Sequence, residues 1–366
     1  MSWVGSVWAN IGSGSMINFI INSKCDGTVF THKIFNFKML TLLFISLFII
    51  VALSALLFKF AISDGDYTLL SKRHVKREEI EDKVVWITGA SRGIGEILAK
   101  QLASLGAKLI LSARNGTELE RVRKQLTGKY APEQVKILPL DLSSEEDRLK
   151  EAIDKAESFF PGVGVDYMFH NAAYERPKTT ALDVTEESLK ATFNVNVFGT
   201  ISLTRLLTPF MLRRGRGHFV VMSSAAGKTP APGQAVYSAS KYALNGYFHT
   251  LRSELCQKGI KVTVVCPGPV ATPNGSGATS STTNVSSEKR VSAERCAELT
   301  IIAASHGLKE VWISYQPVLA VMYLVQYMPT IGYWLMDKVG RRRVEAAAEK
   351  GNTYSLSLLF GKKKAA

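Results

Sequence analysis

Val84-Val85-Trp86-Ile87-Thr88-Gly89-Ala90-Ser91-Arg92-Gly93-Ile94-Gly95 is the stretch on which the fold turns. An apolar run short enough for a buried strand leads into glycines spaced for a tight turn. Such a turn lets the backbone approach a pyrophosphate at the N-terminus of the next helix, expected here from Glu96 to Leu105. Moving outward, similar runs recur at Lys108-Leu109-Ile110-Leu111, Val135-Lys136-Ile137-Leu138, Val165-Asp166-Tyr167-Met168-Phe169, Phe219-Val220-Val221-Met222 and Val262-Thr263-Val264-Val265. Near-continuous apolar strands imply burial on both faces. Separated by helical stretches, they read as right-handed βαβ units in a Rossmann-like, doubly wound parallel α/β sheet of about seven strands. Ligands of such sheets lie at the strands' carboxyl ends, where strand order reverses, so chemistry is expected just after each run.

The second run ends Ser112-Ala113-Arg114, without the acid that NAD-binding folds place there for a ribose hydroxyl. Arg114, with Arg92 in the glycine loop, instead suits the 2′-phosphate of NADPH. After the fifth run, Ser224 is followed by Tyr237 and Lys241, four apart on an expected helix and therefore on one face. A free phenol with a pKa of about 10 is ~3 units, roughly 4 kcal/mol, from usefulness as an acid at neutral pH. The Lys241 ammonium can lower that cost, and the Ser224 hydroxyl can orient a substrate carbonyl. Tyr174 and Lys178 share the spacing, but Pro177 between them argues against one helical face.

The TGxxxGIG pattern of Thr88 to Gly95, together with this serine, tyrosine and lysine, resembles the short-chain dehydrogenase/reductase family. The resemblance implies a hydride-transferring oxidoreductase. It assigns Gly89, Ser91, Arg92, Gly93, Ile94, Gly95 and Arg114 to the cofactor, Asp141-Leu142 to the adenine side, and Asn171 to the turn after the fourth strand. That turn reads His170-Asn171-Ala172-Ala173 where the family has NNAG, so Ala173 needs a negative φ and His170 reads as a packed residue. Asn196 matches the family's fourth catalytic residue, which holds a water linking the lysine to solvent. Pro267-Gly268-Pro269-Val270-Ala271-Thr272 resembles the PGxxxT turn that holds the nicotinamide amide, through Pro267, Gly268, Val270 and Thr272. Tyr237 and Lys241 also contact the cofactor in this family, and a homodimer forms through the helices containing Tyr237 and Asn196.

The chain has 366 residues, 46% hydrophobic and 21% charged, a composition that excludes disordered, collagen-like and many-pass membrane proteins. Cys25, Cys256, Cys266 and Cys296 lack metal-ligand spacing, so neither a metal site nor a disulfide framework is expected. The net charge of +14 is concentrated at the ends, around Arg341, Arg342, Arg343 and Lys362, Lys363, Lys364. That distribution suits a membrane surface, and no nucleic-acid partner is expected.

Met39 to Phe58 holds 20 residues without a charge, enough to cross about 30 Å of hydrocarbon. The expected organisation is an extension (1–38), a transmembrane anchor (39–58), a linker (59–80), the catalytic domain (81–314), and an apolar lid or membrane-associated segment with a basic tail (315–366). Three lysines before the anchor against five cations after it favour a cytosolic body. A glycan at the sequon beginning with Asn115 would obstruct the cofactor, which disfavours a lumenal one, as does Lys363-Lys364, which resembles an endoplasmic reticulum retrieval signal. A small-polar stretch between Pro273 and Arg290 reads as a flap. Val311 to Met336, 26 uncharged residues broken by Pro317 and Pro329, reads as a strand followed by an interfacial segment, which would favour lipophilic ketones or aldehydes. Asp64-Gly65-Asp66-Tyr67, Leu308 to Ser314 and Gln326 to Thr330 resemble a membrane-bound branch of the family linked to steroid, retinoid and other carbonyl reduction. Two alternatives remain open: an NAD-linked alcohol dehydrogenase, and a membrane-tethered scaffold without turnover.

Overall fold

The computed structural model describes residues 27–174, 179–272 and 290–348. The chain divides into two compact units, residues 1–61 and 62–366. Within the first, helix α1 (Gly27–Ala61) contains a candidate membrane span of 24 residues, Lys38–Ala61, none of it buried. The uncharged stretch read from the sequence therefore sits inside a longer helix. Leu42, Phe44, Phe48 and Phe58 are all exposed along it, as the side chains of a lipid-facing helix would be. A second stretch long and apolar enough by composition, Glu186–Arg214, is half buried and forms part of the core of the second unit.

In that second unit the strands are β1 (Val84–Thr88), β2 (Lys108–Ser112), β3 (Lys136–Ile137), β4 (Tyr167–His170), β5 (Gly217–Met222), β6 (Ile260–Pro267), β7 (Val270–Ala271), β8 (Val291–Ser292) and β9 (Glu310–Ile313). Seven of them form one parallel sheet in the order β3-β2-β1-β4-β5-β6-β9, while β7 and β8 pair separately. The order reverses between β1, which pairs with β2 on one side, and β4 on the other. The expected doubly wound sheet is therefore present, with its switch point at the glycine turn. The third strand is only two residues long, shorter than the apolar run suggested.

Helices cover both faces: α2 (Tyr67–Leu70), α3 (Gly93–Ser104), α4 (Gly116–Lys124), α5 (Glu146–Ser158), α6 (Glu186–Phe193), α7 (Thr200–Arg214), α8 (Ala235–Leu255), α9 (Ala293–Ser305), α10 (Val318–Tyr327) and α11 (Pro329–Ala348). Alternation along β1 sends Val85 and Ile87 into a cluster with Leu98 and Leu102 of α3 and Ile301 and Ile302 of α9. Trp86 lies outside that cluster and donates its indole N–H to Ser112 Oγ at 2.8 Å. The stretch after α1 is stitched to the far edge of the sheet. Asp66 N donates to Trp312 O at 2.9 Å, Trp312 N donates back to Asp66 Oδ2 at 2.8 Å, and Arg295 Nε donates to Asp64 at 2.7 Å. These contacts account for the Asp64-Gly65-Asp66 motif: the two carboxylates and the small residue between them dock the chain on β9 and α9.

Candidate active site

Helix α3 begins at Gly93, three residues earlier than expected, so two loop glycines belong to its first turn. A Cβ on Gly95 would lie 2.2 Å from Gly89 O and 2.5 Å from Asn171 Nδ2, so only glycine lets the helix pack directly on the turn. Gly93, at φ +58°, faces the opposite situation. A Cβ there would meet nothing nearer than Thr272 Cγ2, at 3.9 Å. The free helix N-terminus thus opens onto a space bounded across by Thr272, which is the shape and polarity that a dinucleotide's pyrophosphate requires.

The β1–β4 crevice is closed by hydrogen bonds. Thr88 Oγ1 accepts from Asn171 N and Ala172 N, both at 3.2 Å, and Asn171 Nδ2 donates to Thr88 O at 3.1 Å and Gly89 O at 3.3 Å. Asn171 therefore holds the glycine turn in shape. Among the described residues Asp82 is the one non-glycine residue with positive φ, so Ala173 has the negative φ its side chain needs. His170 ends β4, fully buried. Thr204 Oγ1 gives its proton to Thr200 O at 2.8 Å, so His170 Nε2 donates to Thr204 Oγ1, also at 2.8 Å. Burial pushes this imidazole down to about 3.

Arg92 and Arg114 are both exposed, one capping α3 and one following β2, and neither has an ion pair among the described residues. Ser91 and Ile94 lie in the same loop, partly exposed. Asp141 Oδ1 accepts from Ser143 N at 2.9 Å and Ser143 Oγ at 2.7 Å, which makes it a turn cap, while Leu142 is buried. Asn115 caps α4 through Thr117 N at 3.0 Å. Arg121, which sequence spacing gave no reason to single out, donates to Ser91 O at 2.9 Å and forms a two-pronged pair with Glu96. Glu96 is held below the usual carboxylate range, chiefly by that guanidinium.

Ser224 and Lys241 both meet the carboxyl end of β5, and Tyr237 lies one turn before Lys241 on α8. Ser224 follows β5, partly exposed, with its Oγ accepting from Ala226 N at 3.1 Å. Tyr237 and Lys241 share one face of α8. Lys241 is buried, its Nζ donating to Met222 O at 2.8 Å and lying 5.4 Å from the centre of the Tyr237 ring. One turn on, Asn245 Nδ2 donates to Gly227 O at 2.8 Å, fixing the serine's loop against the same helix.

Asn196 sits in a single π-helical stretch, Asn194–Gly199, between α6 and α7. One extra residue in the turn re-aims side chains, a device frequent at functional sites. Its Oδ1 accepts from Tyr174 N at 2.7 Å, and its Nδ2 donates to Tyr174 O and Ser240 Oγ, both at 3.1 Å. Ser240 Oγ in turn donates to Tyr237 O at 2.7 Å. Tyr174, the decoy of the sequence, thus serves through its backbone; Lys178 lies outside the described residues.

After β6, Gly268 N donates to Ile313 O at 2.8 Å, and its missing side chain leaves room for Ser314 Oγ. Pro267 ends β6, and Val270 pairs with Val291 where β7 meets β8, leaving Thr272 facing Gly93. The expected flap, residues 1–26 of the N-terminal extension and the lysines of the tail fall outside the described residues, while residues 27–38 of that extension are helical, the start of α1.

A loop tie missed from the sequence lies beside Ser224. Lys228 Nζ donates to Glu310 Oε2 at 2.8 Å, and that carboxylate also accepts from His249 Nε2 at 2.5 Å and Trp312 Nε1 at 2.6 Å. No local signal reveals it, because its residues come from three separate segments: Lys228 from the loop after β5, His249 from α8, and Glu310 and Trp312 from β9.

The sequence profile of the short chain dehydrogenase family matches residues 83–282. The chain is 38% identical over 322 residues to the protein named dehydrogenase/reductase SDR family member 7 of Homo sapiens, covering 85% of this chain and 94% of that one. Among solved structures, a Burkholderia cenocepacia short chain dehydrogenase in complex with NADP superposes with a TM-score of 0.58 at 22% identity, covering 70% of this chain and 98% of that one. A 3-ketoacyl-(acyl-carrier-protein) reductase from Brucella melitensis complexed with NADH gives 0.54 at 25% identity, covering 62% and 91%.

Proposed function

The chain belongs to the short-chain dehydrogenase/reductase family of oxidoreductases, and on that premise we propose that it is a membrane-anchored, NADPH-dependent reductase of lipophilic ketones or aldehydes. The observation that carries this reading is the buried Lys241 amine, fixed to Met222 O at 2.8 Å and 5.4 Å from the Tyr237 ring centre. A cation held there has one evident use, to offset the charge a phenol acquires when it gives up its proton.

NADPH, when bound, supplies the hydride for the carbonyl carbon. Ser224 donates its hydroxyl hydrogen bond to the carbonyl oxygen and so orients it. Tyr237 gives its phenolic proton to that oxygen as negative charge builds there. Lys241 stabilises the resulting phenolate and would contact the nicotinamide ribose, and Asn196 would hold a water from which, by way of the lysine, the Tyr237 phenolate regains the proton it gave up. The open N-terminus of α3 receives the pyrophosphate, Asp141 and Leu142 flank the adenine, and the turn from Pro267 to Thr272 holds the nicotinamide amide. Arg92 and Arg114 take the 2′-phosphate, two exposed cations at a strand end that carries no acid.

The apolar α1 supports membrane anchoring. So does the run Tyr327, Met328, Ile331 and Trp334 around the start of α11, all exposed. The flanking cations support a cytosolic body, and the terminal dilysine supports the endoplasmic reticulum. An apolar surface beside the site suits steroids, retinoids and similar carbonyl compounds, and the helices bearing Tyr237 and Asn196 are the proposed dimer face.

The test is NADPH consumption by membranes carrying the full chain, across steroids, retinoids, sphingoid ketones and quinones. Turnover with at least one compound, lowered by about 10²-fold or more in Tyr237→Phe, is expected. Equal activity of Tyr237→Phe and parent, or none with any compound, would overturn the reading.

A further inference from the structure

We propose that Glu310, on the edge strand β9, is a positioning residue that sets the height of Ser224 by gripping Lys228. The inference rests on the reading of Ser224 as the residue that orients the substrate carbonyl.

The loop after β5 is internally stiff. Gly227 N donates to Ser224 O, and Lys228 N and Thr229 N both donate to Ala225 O, each at 2.9 Å. The Ser224 side chain is part of the same unit through Ala226 N. Such a loop moves as one piece, so its position depends on what holds it from outside. Asn245 grips one side, at Gly227 O, and so relates the loop to the helix of Tyr237 and Lys241. The opposite grip is Lys228, four residues past Ser224 and 8% exposed, whose ammonium meets Glu310.

Glu310 is equipped for a fixed role. Both carboxylate oxygens are engaged, Oε2 by Lys228 and His249 and Oε1 by Trp312. Burial alone would raise its pKa, but the hydrogen bonds from His249, Lys228 and Trp312 outweigh that and hold it down at about 2. It is therefore an anion at neutral pH. The cation it faces cannot leave without stranding a partly buried charge. Gln326 of α10 adds a donor to Lys228 O at 2.9 Å, so the C-terminal helices are registered on the same loop. A displacement near 1 Å at a group that orients a reacting carbonyl can cost ~10²-fold in rate, which gives this distant ion pair kinetic leverage.

The experiment uses the full chain in membranes, with phenanthrenequinone as the carbonyl probe and amide hydrogen exchange as an independent readout. Glu310→Gln keeps the shape and removes the charge. It should lower kcat about tenfold with KM for NADPH within about twofold. Exchange should quicken at residues 225–229 and stay unchanged in the first turn of α3. Lys228→Arg should stay close to the parent, and Lys228→Met combined with Glu310→Gln should be no slower than Glu310→Gln alone, since the two act as one unit. Unchanged kcat and exchange in Glu310→Gln, additive losses in the double variant, or exchange rising uniformly across the sheet would each overturn the proposal. If the parent reduces neither phenanthrenequinone nor any compound of the wider panel, the reductase reading fails, and the exchange pattern still decides whether Glu310 sets the loop.

Discussion

Arg121, on α4, donates from Nη2 to the carbonyl oxygen of Ser91 at 2.9 Å while the same guanidinium pairs with Glu96 on α3. One side chain thus ties the glycine turn to the helix that follows it and to the helix beyond β2. Glu96 lies in the first turn of α3, where a carboxylate suits the positive helix end but would oppose a phosphate. Arg121 and Lys100 neutralise it. Arg121→Ala should therefore raise KM for the dinucleotide about tenfold and leave kcat within about threefold, because the loss falls on binding rather than on proton transfer. Steady-state kinetics with varied cofactor measures this, and an unchanged KM would remove Arg121 from the site.

Cofactor choice hangs on the end of β2. Arg114→Asp would restore an acid that accepts from a ribose 2′-hydroxyl and repels a 2′-phosphate. The expected result is at least a tenfold fall in the NADPH to NADH ratio of kcat/KM, worth about 1.4 kcal/mol. If the parent already prefers NADH, the arginines have another purpose.

Acid should destabilise the sheet through two buried histidines. His170 and His218 are both pushed down to about 3 by burial, with Lys261 adding to the effect at His218. Their unfolded pKa is about 6.5, so between those values the unfolded chain binds more protons. Their contribution is complete above about 6.5 and is lost as pH falls toward 3, at about 1.4 kcal/mol per pH unit for each histidine. Tm should decline steeply below pH ~6.5, and His218→Gln should remove about half of that slope. A flat profile from neutral pH to pH ~5 would show that these rings titrate normally.

Trp334 should report a bilayer contact. It is 59% exposed at the start of α11, beside Ile331, with Lys338 Nζ 4.9 Å over its ring. An aromatic and a cation in succession along a helix suit the boundary between acyl chains and headgroups. In full chain reconstituted with brominated phosphatidylcholine and phosphatidylserine, the fluorescence lost on Trp334→Phe should be quenched roughly twofold relative to unbrominated lipid. Co-flotation without that quenching would leave α1 as an anchor and remove α11 from the interface.

The sequence by itself determined the sheet class, the position of the glycine turn and the shared helical face of Tyr237 and Lys241. Each rests on short-range regularity: strand runs have a local pattern, a turn needs particular glycines, and residues four apart on a helix share a face whatever surrounds them. The tertiary structure alone decided that Arg121 clamps Ser91, that Glu310 holds Lys228, and that Asn196 is turned inward by a π-helical stretch onto Tyr174 and Ser240. It also showed Asp64 and Asp66 as fasteners for β9 and α9. These pairs link segments far apart in the chain. Their partners are chosen by how helices and strands pack, a through-space outcome that leaves no periodic trace in the order of the residues.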